Sequence, residues 1–167
     1  MKKTFFLLTM AIALVLASCG SQGDSEIEKK IAGTWQAAYS EMEDGVLGHL
    51  TETVRYDAES HTFSIEAKCE LSYMDFNFGY FTMYANGTWY ATKNEIVSNY
   101  AVDNIRLEFS RDYLENTEMS ESEARSEMMN ELKGELKKPQ ALKLNIISDN
   151  EMLQTDTDGE SVTYYKQ

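Results

Sequence analysis

His61-Thr62-Phe63-Ser64-Ile65-Glu66-Ala67-Lys68-Cys69-Glu70-Leu71 is the stretch that decides the fold. Phe63, Ile65, Ala67, Cys69 and Leu71 fall on one side of an extended chain, and Thr62, Ser64, Glu66, Lys68 and Glu70 on the other. A strand with one dry and one wet face belongs to an antiparallel sheet. Cys69 shares the dry face, so it reads as a small buried hydrophobe. A reactive thiol would want a base on its own side, and Lys68 points away.

The same period returns at 104–110, where Ile105, Leu107 and Phe109 alternate with Arg106 and Glu108, and at 141–147 through Leu142, Leu144 and Ile146. Further extended stretches are read at 34–40, 52–56, 76–84, 88–92, 95–98, 152–155 and 162–166. Between them lie Asp44-Gly45, 57–60, Asn86-Gly87, Asp149-Asn150 and Asp158-Gly159. Asn-Gly and Asp-Gly accept the positive φ of tight hairpins, so neighbouring strands should pair in order. An up-and-down meander of about 8–10 strands must hide its first and last edges; closure into a barrel does so completely, and a two-sheet sandwich is the competing solution.

One segment breaks the period. Ser120-Glu121-Ser122-Glu123 matches a capping box, Ala124, Met128, Leu132 and Leu136 follow at four-residue spacing, and Pro139, the chain's single proline, stops the run. The spacing predicts one helix over about 119–138, lying outside the barrel or across one mouth. Aromatic residues crowd 73–84, where alternation sends Phe76, Phe78, Tyr80 and Tyr84 to one face and Phe81 and Met83 to the other. One face is core; the other meets the helix, a partner or a ligand.

The N-terminus carries a different message. Lys2 and Lys3, an apolar run over 5–16, and Leu16-Ala17-Ser18-Cys19 resemble a bacterial lipoprotein signal that ends in a lipobox. The run is too short for a permanent bilayer helix, which takes about 20 residues. The resemblance implies that 1–18 is a signal peptide, that the mature chain starts at an acylated Cys19, and that acyl chains anchor it at about 0.8 kcal/mol per buried methylene. Residues 19–30, small and polar, read as a flexible tether that allows a short helical turn at 27–31. Gly20 in place of the aspartate of inner-membrane retention favours the outer membrane, and both leaflet orientations fit.

The remaining 31–167 is of a length for one barrel domain with its own core. Fifteen basic against 28 acidic residues give a net charge of −13, which repels phosphate and argues against nucleic acid as a partner. With Cys19 acylated only Cys69 remains, so no disulfide within the chain is available.

Gly33-Thr34-Trp35, echoed by Gly87-Thr88-Trp89, contains the Gly-x-Trp that opens lipocalin-type barrels. With the lipobox and the closing Thr163-Tyr164-Tyr165-Lys166, the chain resembles the lipocalin-like lipoproteins of Bacteroidetes. The resemblance implies that Gly33 admits the chain tightly at the barrel floor and that Trp35 plugs it. The family's late arginine over that tryptophan is absent, with Lys166 as the one available substitute.

Chemistry finds little purchase in the sequence. His49 and His61 are the two imidazoles and both read as solvated; no serine sits in a nucleophile elbow, and no HExxH, CxxC or phosphate-binding glycine loop occurs. Asp156-Thr157-Asp158-Gly159 resembles part of a calcium loop, but Gln154 and Tyr165 fall where acids are required, so a hairpin turn explains it better. The expectation is therefore a non-enzymatic, cofactor-free envelope protein that holds a small hydrophobic or amphipathic ligand in its barrel, with Phe63, Ile65, Tyr80 and Tyr84 as lining residues chosen by alternation. The alternative is a solid-core interaction module for envelope assembly or polysaccharide binding. Replacing Cys19 with alanine is expected to move the protein from the membrane to the soluble fraction on fractionation of the envelope; a variant that still sediments with membranes contradicts acyl anchoring.

Overall fold

A computed structural model describes residues 23–43, 45–74 and 76–167; the expected signal peptide 1–18, Cys19 and the first residues of the expected tether lie outside them. The strands are β1 (Gly33–Glu43), β2 (Val46–Asp57), β3 (Thr62–Tyr73), β4 (Phe76–Ala91), β5 (Glu95–Tyr100), β6 (Arg106–Phe109), β7 (Gln140–Ser148), β8 (Glu151–Thr155) and β9 (Ser161–Lys166). The helices are α1 (Ser25–Ile31), α2 (Arg111–Thr117) and α3 (Glu121–Leu136).

Every strand pairing is antiparallel, and the circuit β1-β2-β3-β4-β5-β7-β8-β9 closes through Trp35 opposite Lys166 and Gln36 opposite Tyr165. Eight strands thus form a closed barrel, while β6 pairs with β4 alone and stands outside the circuit. Closure is what the unpaired borders of such a meander demand. On β3 the expected parity holds, with Phe63, Ile65, Ala67, Cys69 and Leu71 all buried.

Asn86-Gly87, expected to turn a hairpin, lies inside the continuous β4 instead. A Cβ on Gly87 would stand 1.9 Å from the Asn99 carbonyl oxygen and 2.8 Å from the Phe63 ring, so this glycine serves close strand approach and not a turn. Gly79, at φ +102, has a similar part: a Cβ there would meet the Tyr113 backbone nitrogen at 2.5 Å, and the β3–β4 register shifts beside it at Leu71/Ser72.

The tether expectation also needs correction from residue 24 onward. Asp24 caps α1 by accepting from the Glu26 and Ile27 amides at 3.0 and 3.3 Å, and its own N–H donates to the Ala91 carbonyl at 2.7 Å. Ile31 is buried in the main core, and the buried Glu28 accepts from the Ala91 amide and meets His61 Nε2 at 3.2 Å. The sequence undervalued this segment because only Ile27, Ile31 and one buried acid dock it, a signal too sparse for periodicity.

Strands β1–β4 run 11 to 16 residues, whereas β7 has 9 and β5, β8 and β9 have 5 or 6. The long strands overhang the short ones, and α2 and α3 cover the inner face of that overhang. Ala124 packs with Leu50, Cys69 and Leu71, and Met128 with Ala67, Met83 and Leu107. The helix read at about 119–138 is α3, capping box included, and it lies across one end of the barrel. The shorter α2, capped by the Ser110 side chain at the Tyr113 amide, follows directly on the stretch read as extended at 104–110 and has no counterpart in the sequence reading.

Two glycine substitutions separate close packing from helix propensity. Nothing lies within 4 Å of a Cβ built on Gly134 in α3, so Gly134→Ala is expected to stabilise by about 1 kcal/mol. Gly87→Ala is expected to destabilise by about 1–3 kcal/mol through overpacking, and urea unfolding of both variants measures the contrast.

Candidate functional site

The inward positions of β2 read Leu50, Glu52, Val54 and Tyr56, which sets one carboxylate inside an apolar series. Glu52 is 1% exposed. Its Oε1 accepts from the Tyr39 hydroxyl at 2.8 Å and its Oε2 from the Tyr164 hydroxyl at 2.5 Å. Tyr39 comes from β1 and Tyr164 from β9, so the acid bridges strands on either side of the closure.

Around this triad lies a cavity of about 100 Å³. Tyr39, Tyr100 and Tyr164 line it with Leu142 and Val162, while Leu136 and Gln140 border it from the end of α3 and the start of β7. Gln154, Glu41, Asp156 and Glu160 complete the lining. Exposure rises from the buried Glu52 and Asp156 through the half-buried Glu41 to the exposed Glu160, which places the acids in order from the interior to the mouth. That mouth opens where the short strands end, between the β8–β9 turn and the end of α3.

Burial raises the Glu52 carboxyl above its ordinary value, and the two tyrosine hydroxyls offset only part of that shift. Burial, reinforced by the Glu52 charge, also raises Tyr39, Tyr100 and Tyr164 far above the ordinary phenol value. No lysine, arginine or histidine lines the cavity among the described residues. A carboxylate with this little compensation favours its neutral form when the cavity holds no counter-ion.

The residues picked from sequence divide between the two faces. Phe63 and Ile65 are buried in the main core with Tyr56, Trp89 and Tyr100, where Phe63 meets Tyr100 edge-on at 5.0 Å; they form packing and not the cavity wall. Tyr80 and Tyr84 require correction. Opposite Glu70 and Glu66 in the β3–β4 register, they stand on the outer face, with Lys68 over the Tyr80 ring at 4.2 Å and Arg106 over the Tyr84 ring at 4.0 Å. Both faces of β4 carry aromatic side chains, so alternation alone points the wrong set inward.

At the floor, Gly33 takes φ +126, and the 1% exposed Trp35 donates from Nε1 to the Ile31 carbonyl at 2.6 Å. Lys166 Nζ lies 5.1 Å from the Trp35 ring centre and donates to the Lys30 carbonyl at 3.0 Å. Cys69 is buried, and burial pushes its thiol up to about 12. Asp156 accepts from the Gly159 and Glu160 amides at 2.8 and 2.9 Å, the geometry of a turn.

One further grouping lies on the open sheet face. Ser40 Oγ and His49 Nδ1 are 2.9 Å apart across β1 and β2, and Glu70 stands opposite His49 on β3. Glu70 is bound to Lys68 at 2.6 Å, and the row is exposed, without the enclosure and oriented base that a triad requires. Glu52 was missed in the sequence as a functional residue, although its parity with Val54 and Tyr56 was the available signal.

No protein-family model matches the chain, and a search of curated proteins finds no match.

Raised above its unfolded value, Glu52 binds its proton more tightly in the folded state. Its contribution is full below the ordinary carboxylate range and is lost as pH rises through the raised value. Urea unfolding between pH 4 and 8 is expected to show the wild type losing stability relative to Glu52→Gln as pH increases; a difference independent of pH contradicts a buried, protonated Glu52.

Proposed function

We propose that this chain is a lipid-anchored envelope protein, attached through Cys19 at the outer membrane, whose barrel is a non-enzymatic binding module for a small amphipathic ligand. The observation that carries this reading is the cavity at Glu52. The barrel is otherwise filled by aromatic, aliphatic and methionine side chains, yet it retains an opening with a hydrogen-bonded acid inside, aromatic and aliphatic walls and a polar mouth. Pockets for drug-sized ligands enclose about 300–1,000 Å³. A cavity of about 100 Å³ suits a few heavy atoms or the end of a longer molecule, so a whole lipid is not the intended cargo. The resemblance to lipocalin-like lipoproteins fits this reading, with the ligand site reduced by α2, α3 and the aromatic core.

A second reading rests on a separate observation. Met42, Leu47, Tyr73, Met74 and Phe76 are exposed at the adjoining β1–β2 and β3–β4 hairpin ends, Met74 by 83%. Tyr73 stands opposite Val46 in the register, which sets the two tips side by side. Because α1 leads into the opposite end of β1, a tether from Cys19 would turn these tips away from the anchoring membrane. There they would serve contact with another envelope component.

Native mass spectrometry of the full chain, extracted from its own envelope in mild detergent, separates the two. A co-purifying small mass that is lost in Glu52→Gln is the expected result. Empty protein in stoichiometric complex with a second protein supports the docking reading and overturns the first.

A further inference from the structure

Resting on the small-ligand reading above, we infer that the Glu52 cavity is built for an alkylammonium group, with the cation at the Glu52 carboxylate and its alkyl stem between Leu142 and Val162. Every charged group that lines the cavity is an acid. An anionic occupant would meet like charge at Asp156, Glu41 and Glu160, and only a cation would pair with the charged form of Glu52.

Gln140 adds an independent acceptor. It is 8% exposed and lines the same cavity; its Nε2 donates to the Glu135 and Lys138 carbonyls at 3.0 and 2.9 Å, which fixes the amide and leaves Oε1 buried without a partner among the described residues. That oxygen is an unmet acceptor beside the cavity. An ammonium carries up to three N–H groups and accepts nothing, which suits the acceptor oxygens that Glu52 and the other acids bring to the lining.

The tyrosines strengthen the assignment. Tyr39, Tyr100 and Tyr164 line the space around the carboxylate, and aromatic rings grouped about an acid are the usual means of holding an ammonium out of water. Two of the three also bond Glu52 directly and so hold its oxygens in place. The graded acids toward the mouth, on a chain of net charge −13, draw cations in and repel anions. The walls then select an ammonium with a short apolar stem over a bare hydrated ion.

Titration calorimetry on the full chain in nonionic detergent tests this with n-butylammonium chloride, against n-butanol, sodium butyrate and potassium chloride. The ammonium is expected to bind at one site per chain and the other three to give no heat of binding. Glu52→Gln, which keeps the shape and the hydrogen-bonding capacity of the side chain, is expected to weaken binding at least tenfold with an unchanged circular dichroism spectrum. Gln140→Leu is expected to weaken it several-fold. Binding of n-butanol or butyrate with equal affinity overturns the ammonium assignment while the small-ligand reading stands, and so does displacement by equimolar potassium. If none of the four binds and native mass spectrometry finds no small mass, both fall.

Discussion

The register that joins β2, β3 and β4 is the constraint on which the rest depends. Side chains alternate strictly across a strand, so a slip of one residue would exchange every inward group for its outward neighbour. In the observed register Leu50, Val54 and Tyr56 stand opposite Cys69, Ile65 and Phe63, and Ile65 opposite Ala85. All of these are buried. The same parity carries Glu52 inward opposite Ala67, so the acid sits inside because the apolar residues around it fix the strand. Its burial is a consequence of its neighbours' hydrophobicity, which overrides its own preference for water.

Unequal strand length does the second part of the work. A barrel whose strands all ended together would leave two open mouths. Here the long β1–β4 extend beyond β5, β7, β8 and β9, and α2 and α3 fold back over the exposed inner face. Arg125 ties α3 to the edge strand by donating to the Leu107 carbonyl at 2.7 Å. The helices cover the side toward β3, β4 and β6, and the cavity is what they leave uncovered toward β1, β8 and β9. At the other end α1, Trp35 and Lys166 close the floor, so the interior communicates with solvent at the end remote from the N-terminus.

Much of this was legible in the sequence, and the failures have physical causes. β3 was readable because its two faces differ cleanly, and α3 because a capping box and a proline bracket it. Asn86-Gly87 misled because turn chemistry and close strand packing both favour glycine, and only the position of Asn99 across the sheet distinguishes them. Tyr80 and Tyr84 misled because a ring can lie flat on an outer face beneath Lys68 or Arg106 as readily as it can enter a core. α1 escaped because its docking uses Ile31 and the hydrogen bonds of Glu28 and Asp24 with Ala91, contacts remote in sequence. Glu52 is one acid among 28 in the sequence, and only its parity with Val54 and Tyr56 singles it out.

Glu52 also marks the point where stability and function diverge. An aliphatic residue there would suit the packing of Ala67 and Val54 and would remove the cost of desolvating a carboxyl. Two strands nevertheless supply tyrosine hydroxyls to it, one to each oxygen, and no positive side chain lines the space around it among the described residues. A buried ion pair wholly within the protein would satisfy the acid and close the site to charge from outside. Without a cation beside it, burial raises the Glu52 carboxyl and favours its proton-bound form. On this argument the unfilled volume and the uncompensated acid are one feature, and the barrel retains it because its dense aromatic core supplies stability elsewhere.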